Sequence, residues 1–266
     1  MAEKAWGGTA HRDDLGHLVE LKAPPTRIVS LVPSLTEALA ATVPDRLVGA
    51  TDWCTHPAEL DVARVRGTKN PDHAAITALR PDLVVANQEE NRRVDVERIR
   101  ASGVEVWVTV TESVEEALTS LGRLFVEGVG VGVPGWLTDA GAVWAPPPTL
   151  PPHRVVVPIW REPWMVVGPA TFAGDLLRRL GLVSAVDAMG DRYPKVELSS
   201  LLALRPDLVL LPDEPYAFSR TDGPEAFSAL PVVLVPGRSL TWYGPSMLTA
   251  RDELTTLIRH SGAGRG

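Results

Sequence analysis

Short unbroken runs of apolar residues alternate along the chain with stretches of helical period. Leu83-Val84-Val85 and Leu208-Val209-Leu210-Leu211 are two such runs. Each follows a helix-like segment, ending at Ile76–Leu79 in one case and Leu201–Leu204 in the other, and then a proline that stops the helix. Similar runs lie at 27–32, 47–50, 104–108, 154–159 and 232–235. Strands apolar on both faces, separated by helices, predict parallel sheet covered on both sides.

The pattern occurs twice. Ala78-Leu79-Arg80-Pro81-Asp82-Leu83-Val84 returns 125 positions later as Ala203-Leu204-Arg205-Pro206-Asp207-Leu208-Val209. Arg27 to Val32 matches Arg154 to Ile159, and Val104 to Val108 matches Val232 to Val235, at nearly the same offset. Two copies of one topology account for this most simply. Between them Val114, Ala117, Leu118, Leu121, Leu124 and Phe125 recur at helical spacing until Gly128, Gly130, Gly132, Pro134 and Gly135 interrupt. A second short helix is predicted from Pro134 to about Trp144. The predicted fold is therefore α/β, with two Rossmann-like lobes of mainly parallel sheet joined by a broken connector helix. The lobes span 1–112 and 153–266, and the connector 113–152. Residues 1–26 predict an irregular start with a hairpin around Leu15-Gly16, and the tail from Ser261 reads as disordered.

Composition narrows the functions. A net charge of −7 without a basic run argues against a nucleic-acid or anionic-lipid binder. The single cysteine, Cys54, excludes an intramolecular disulfide. No apolar run approaches the ~20 residues that span a bilayer. The chain as written opens without an apolar leader, which sets the expectation of a cytoplasmic protein, or an extracytoplasmic one if the start is trimmed.

Arg27-Ile28-Val29-Ser30-Leu31-Val32-Pro33-Ser34-Leu35-Thr36-Glu37 resembles the opening strand and helix of the helical-backbone metal receptors. These are the periplasmic binding proteins for cobalamin, haem and iron-siderophores. Val48 to Thr51, Gly67-Thr68 and Ile76 to Val85 follow that family's order. So do Gly168, Leu176-Leu177, Gly181, Tyr193-Pro194 and Leu201 to Val209. The resemblance covers roughly residues 14–260 and is nearest to the cobalamin branch. It implies two lobes, a ligand in the cleft between them, no catalysis, and an ABC transporter as partner. Cobalamin receptors present a glutamate on each lobe to the transporter. The matching positions here are Ala74 and Ser199, with Asp72 and Glu197 nearby, which argues against that docking. Two alternatives stand beside a cobalamin-like or other metal-chelate ligand. One is an enzyme using the same cleft for metal-tetrapyrrole or small-molecule chemistry; the other is a cytoplasmic sensor without ligand.

In open α/β sheets ligands lie beyond the carboxyl ends of the strands. That rule makes candidates of Trp53, Lys69, Glu89, Glu90 and Asn91 in the first lobe. In the second it selects Trp160, Arg161, Trp164, Tyr193, Glu214, Tyr216, Trp242 and Tyr243. Tryptophan and tyrosine offer flat apolar faces suited to a tetrapyrrole or corrin. The cations suit its anionic groups. Trp107, within a strand pattern, reads as core. Cys54 and His56 are candidate metal ligands on a weak spacing signal.

Overall fold

A computed structural model describes residues 10–261 of the chain; the readings of residues 1–9 and of the tail beyond Ser261 fall outside the described residues. Two compact units are present. The first holds the described residues up to Thr111 together with Glu116–Asp139, and the second holds Glu112–Glu115 with the described residues from Ala140 onward.

In the first unit β1 (Ala10–Arg12) and β2 (Leu18–Glu20) form the predicted hairpin. There follow β3 (Ile28–Ser30), α1 (Pro33–Thr42), β4 (Leu47–Ala50), β5 (Ala63–Arg64), β6 (Arg66–Gly67), β7 (Asn70–Pro71), α2 (His73–Ala78), β8 (Leu83–Asn87), α3 (Arg93–Ala101) and β9 (Glu105–Thr109). The main sheet has the order β5-β4-β3-β8-β9, parallel throughout. Chain order reverses at β3, so the loops after β3, β4 and β8 gather at one end of the sheet. All of β3 and β8 is buried, as continuous apolar strands require. Asp72 caps α2, its carboxylate accepting from the Ala75 N–H at 3.0 Å.

The predicted break in the connector is present. α4 (Val114–Arg123) runs into a π-helical turn over Leu124–Gly128, and α5 (Gly135–Trp144) begins afresh after Pro134. The π turn packs on an indole. Trp107 is fully buried against it, and a Cβ at Gly128 would stand 3.0 Å from the indole. A side chain at Gly128 would press on that ring.

In the second unit come β10 (Arg154–Val156), β11 (Pro158–Trp160), β12 (Met165–Val166), α6 (Phe172–Leu180), β13 (Val183–Ser184), α7 (Leu198–Ala203), β14 (Leu208–Pro212), β15 (Val232–Val235), α8 (Gly237–Thr241) and α9 (Met247–His260). The sheet order β13-β10-β14-β15 repeats β4-β3-β8-β9 position for position, again parallel. β11 and β12 add an antiparallel hairpin after β10.

The repeated heptapeptide has one structural job in both units. Arg80 and Arg205 follow α2 and α7 with φ of +48° and +50°, the left-handed turn that usually takes glycine. The proline then prevents the helix from continuing. Asp82 Oδ2 accepts from Thr26 N (2.8 Å), Thr26 Oγ1 (2.9 Å) and Arg27 N (2.9 Å). Arg27 reaches back to the Leu79 carbonyl through Nε (2.9 Å) and Nη2 (2.7 Å). In the second unit Asp207 accepts from Arg154 N at 2.7 Å, and Arg154 Nη1 donates to the Leu204 carbonyl at 3.0 Å. The clamp aligns Ile28 with Leu83 and Val155 with Leu208. Asp82 collects three bonds to its carboxylate where Asp207 collects one. Asp82→Ala is therefore expected to cost about 1–2 kcal/mol in urea unfolding, and Asp207→Ala measurably less.

Candidate functional site

At the carboxyl ends of β3, β4 and β8 the first unit builds a surface from three loops. The loop after β4 is held by Arg64, which donates to the carbonyls of Thr51 (3.0 Å), Cys54 (2.9 Å) and Leu60 (3.2 Å). Trp53 stands out of this loop with 67% of its surface exposed. Its indole Nε1 lies over the β6–β7 hairpin, where a Cβ at Gly67 would be 3.2 Å away. Lys69, at the tip of that hairpin, donates to the Glu89 carbonyl.

The loop after β8 is organised by two buried asparagines. Asn87 Oδ1 accepts from Glu89 N (2.9 Å) and Glu90 N (3.3 Å), and its Nδ2 donates to Thr109 and Thr111 hydroxyls. Asn91 Oδ1 accepts from Asn87 N (2.9 Å), and its Nδ2 donates to the Thr68 (3.0 Å) and Leu31 (3.3 Å) carbonyls. Asn91 is 5% exposed, so the amide expected to meet a ligand is spent on backbone. Glu89 is exposed and Glu90 half-buried beside it.

The structure gives Cys54 and His56 separate hydrogen-bond partners. The Cys54 sulfur is wholly buried between the Thr36 (3.0 Å) and Thr51 (3.1 Å) hydroxyls. Burial pushes its thiol pKa up, away from the thiolate that ligates metals. His56 Nδ1 lies 3.1 Å from the Thr55 hydroxyl. Among the described residues no three His, Cys, Asp or Glu side chains gather to hold an ion.

In the second unit Trp160 ends β11 with 44% of its surface exposed. Tyr216, in the loop after β14, meets it edge-on at 5.7 Å between centroids. The Tyr216 hydroxyl donates to Asp222 Oδ2 at 2.7 Å, and Arg161 grips the other oxygen of Asp222 and, at 2.6 Å, Glu225. The Glu225 bond first, then Asp222, raises the Arg161 pKa above its ordinary value. The guanidinium also lies 5.5 Å over the Trp164 ring. Arg161 is thus a brace between the β11–β12 hairpin and the 213–228 loop.

Three expected ligand aromatics are core instead. Trp164 is 8% exposed, stacked on Phe218 at 6.0 Å and edge-on to Phe227 at 5.2 Å. Trp242 is buried beneath Arg238, and Tyr243 is buried edge-on to Phe172. Their neighbouring prolines and glycines suggested open loops, but the loops fold inward over apolar surface. Tyr193 is half-buried. Glu214 is half-buried and bonded by Trp242, and burial pushes its pKa up. Asn87, Arg64 and Asp222 were not singled out from sequence. The shared loop position of Asn87 with Asn91 is the one signal that pointed to it.

No family model matches the chain. A vitamin B12-binding protein of Vibrio vulnificus is 24% identical over 196 residues, covering 71% of this chain and 72% of that protein. An uncharacterised ABC transporter substrate-binding lipoprotein of Bacillus subtilis, YvrC, is 25% identical over 261 residues, covering 90% and 82%. The solved periplasmic vitamin B12 binding protein BtuF of Vibrio cholerae superposes with a TM-score of 0.74 at 21% identity, over 90% of this chain and 98% of that one. The chain has the helical-backbone metal-receptor fold. The expectation of a cytoplasmic protein is overturned, because proteins of this receptor fold that match the chain are described as periplasmic or as a lipoprotein. The argument against an ABC transporter from Ala74 and Ser199 also loses its force, since a relative matched over most of its length is named for such a transporter. Among the described residues no helix of this receptor fold is long and apolar enough to cross a membrane.

A carboxyl whose folded pKa stands above its unfolded value adds stability in its neutral form. That contribution is whole below the unfolded pKa and is lost as pH rises through the folded one. Glu214→Gln, neutral throughout, is therefore expected to raise the urea midpoint at pH 7 relative to the parent protein, with the gain shrinking toward pH 4.

Proposed function

We propose that the chain is a solute-binding protein that works outside the cytoplasm and delivers a metal chelate of the cobalamin or haem class to an ABC transporter. One observation carries the ligand class. Among the described residues each unit places a single exposed tryptophan, Trp53 or Trp160, at the carboxyl ends of its strands, on loops braced by side-chain bonds. A flat, rigid, apolar face that costs little to desolvate suits a macrocycle. Lys69 and the Glu89–Glu90 pair supply the polar rim on the first unit, and Tyr216 and Glu214 supply it on the second.

The relatives named above are binding proteins, and that supports binding without chemistry over the enzyme reading. An open Trp160 speaks against a binder that has filled its own site. Transporter docking and an extracytoplasmic place rest on the YvrC and BtuF resemblances. Near Ser199, Glu197 is an exposed residue preceding α7, while near Ala74 Asp72 is engaged in capping α2.

Titration with aquocobalamin, haemin and a ferric siderophore, followed by calorimetry and tryptophan emission, tests the ligand class. One of the three is expected to bind at micromolar Kd or tighter. Trp53→Ala and Trp160→Ala are each expected to weaken it about tenfold, a loss of ~1.4 kcal/mol. Binding of all three weaker than about 100 μM rejects the ligand class.

A further inference from the structure

Asn91 was a candidate ligand residue by sequence, yet its amide faces protein on every side. We propose that Asn91 is a positioning residue: it touches no ligand, and it holds Lys69 and Trp53 where a ligand meets them. The proposal rests on the binding function argued above and deepens it.

The β6–β7 hairpin pairs only two residues on each side, Arg66 with Pro71 and Gly67 with Asn70. A hairpin so short does not stand alone in water. It depends on bonds to its surroundings. Asp52 N donates to the Arg66 carbonyl at 2.8 Å, and Val65 N to the Ala50 carbonyl at 3.0 Å; both anchor the base. The tip is held by Asn91 Nδ2 on the Thr68 carbonyl at 3.0 Å and by Lys69 on the Glu89 carbonyl. The second tip bond ends on the same 87–91 loop, whose shape Asn91 helps set through Asn87 N. Trp53 rests on Gly67 of this hairpin. The line of support runs from Asn91 through the hairpin to the indole. The amide also ties the loop after β3 at Leu31, so three chain segments are fixed by one side chain. A surface held ready in this way is spared the ordering cost of forming on contact.

The test uses the full chain with aquocobalamin and haemin as probes, and compares Asn91→Ala, Trp53→Ala and the double variant. Asn91→Ala is expected to weaken binding about tenfold in the parent background and less than about twofold in the Trp53→Ala background. An additive loss in the double variant, or unchanged Kd in Asn91→Ala, overturns the proposal. Hydrogen exchange without ligand gives an independent reading. The amides of Gly67 and Asn70, the pair that closes the hairpin, are expected to exchange faster in Asn91→Ala, and unchanged exchange there overturns the proposal even if the parent protein binds neither probe. Failure of the parent protein to bind, with faster exchange in the variant, counts instead against the binding function. Should the alanine variant fold poorly, Asn91→Asp serves as the second variant. Its carboxylate would face the Thr68 and Leu31 carbonyls, so hairpin exchange is expected to be fast at pH 7 and to slow at pH 4, relative to the parent, as the acid regains a donor. An Asp variant with no such pH response also rejects the role.

Discussion

The carboxylate of Asp82 on the backbone of Thr26 and Arg27 is the constraint from which the first unit follows. β3 and β8 have no turn to fix their register, because parallel strands are joined only through long crossovers. The clamp supplies that register at the strand starts, and the Arg27 guanidinium binds the end of α2 to the same point. Once β3 and β8 are aligned, the buried strands stack Val29, Val84 and Val106 into one apolar cluster, with Ile76 and Ile99 from the helices packed on it. The left-handed arginine is the strained element of the motif. It turns the chain from helix to strand within two residues, and the proline after it closes off the helical alternative.

Much of this was readable in the residues. Pro-Asp before an apolar run announces a helix stop and a strand start, and a seven-residue identity announces that the arrangement occurs twice. The strand patterns, the Leu15-Gly16 hairpin and the connector break all follow from local preferences that tertiary structure reinforces. The loops were less legible for a physical reason. Whether a tryptophan beside proline or glycine faces water depends on which distant surface it covers. Trp160 and Trp164 sit four residues apart in one hairpin, yet one is 44% and the other 8% exposed. Polar residues mislead in the same way. An asparagine or arginine in a loop reads as a ligand group, but buried backbone carbonyls and carboxylates compete for its donors. Asn91 and Arg161 answer that demand.

The two units brace their strand ends by different chemistry. The first relies on neutral amides and a lysine on carbonyl oxygens, with bonds that change little with pH or salt. The second relies on Arg161 between two carboxylates and on an aromatic series running from Trp160 through Tyr216 and Phe218 to Trp164. Arg161 is only a quarter exposed, so salt screens its pairs less than it would on an open surface. Among the described residues each scheme leaves one indole facing solvent, Trp53 in the first unit and Trp160 in the second.

Each clamp closes within its own unit. A segment carrying Arg, Pro and Asp at these spacings therefore sets strand register within its own half of the chain. The strand starts answer to that clamp and read alike in the two units. The loops at the opposite ends differ in sequence and in the bonds that brace them. In this chain the shared register device and the differing loops lie at opposite ends of the same strands.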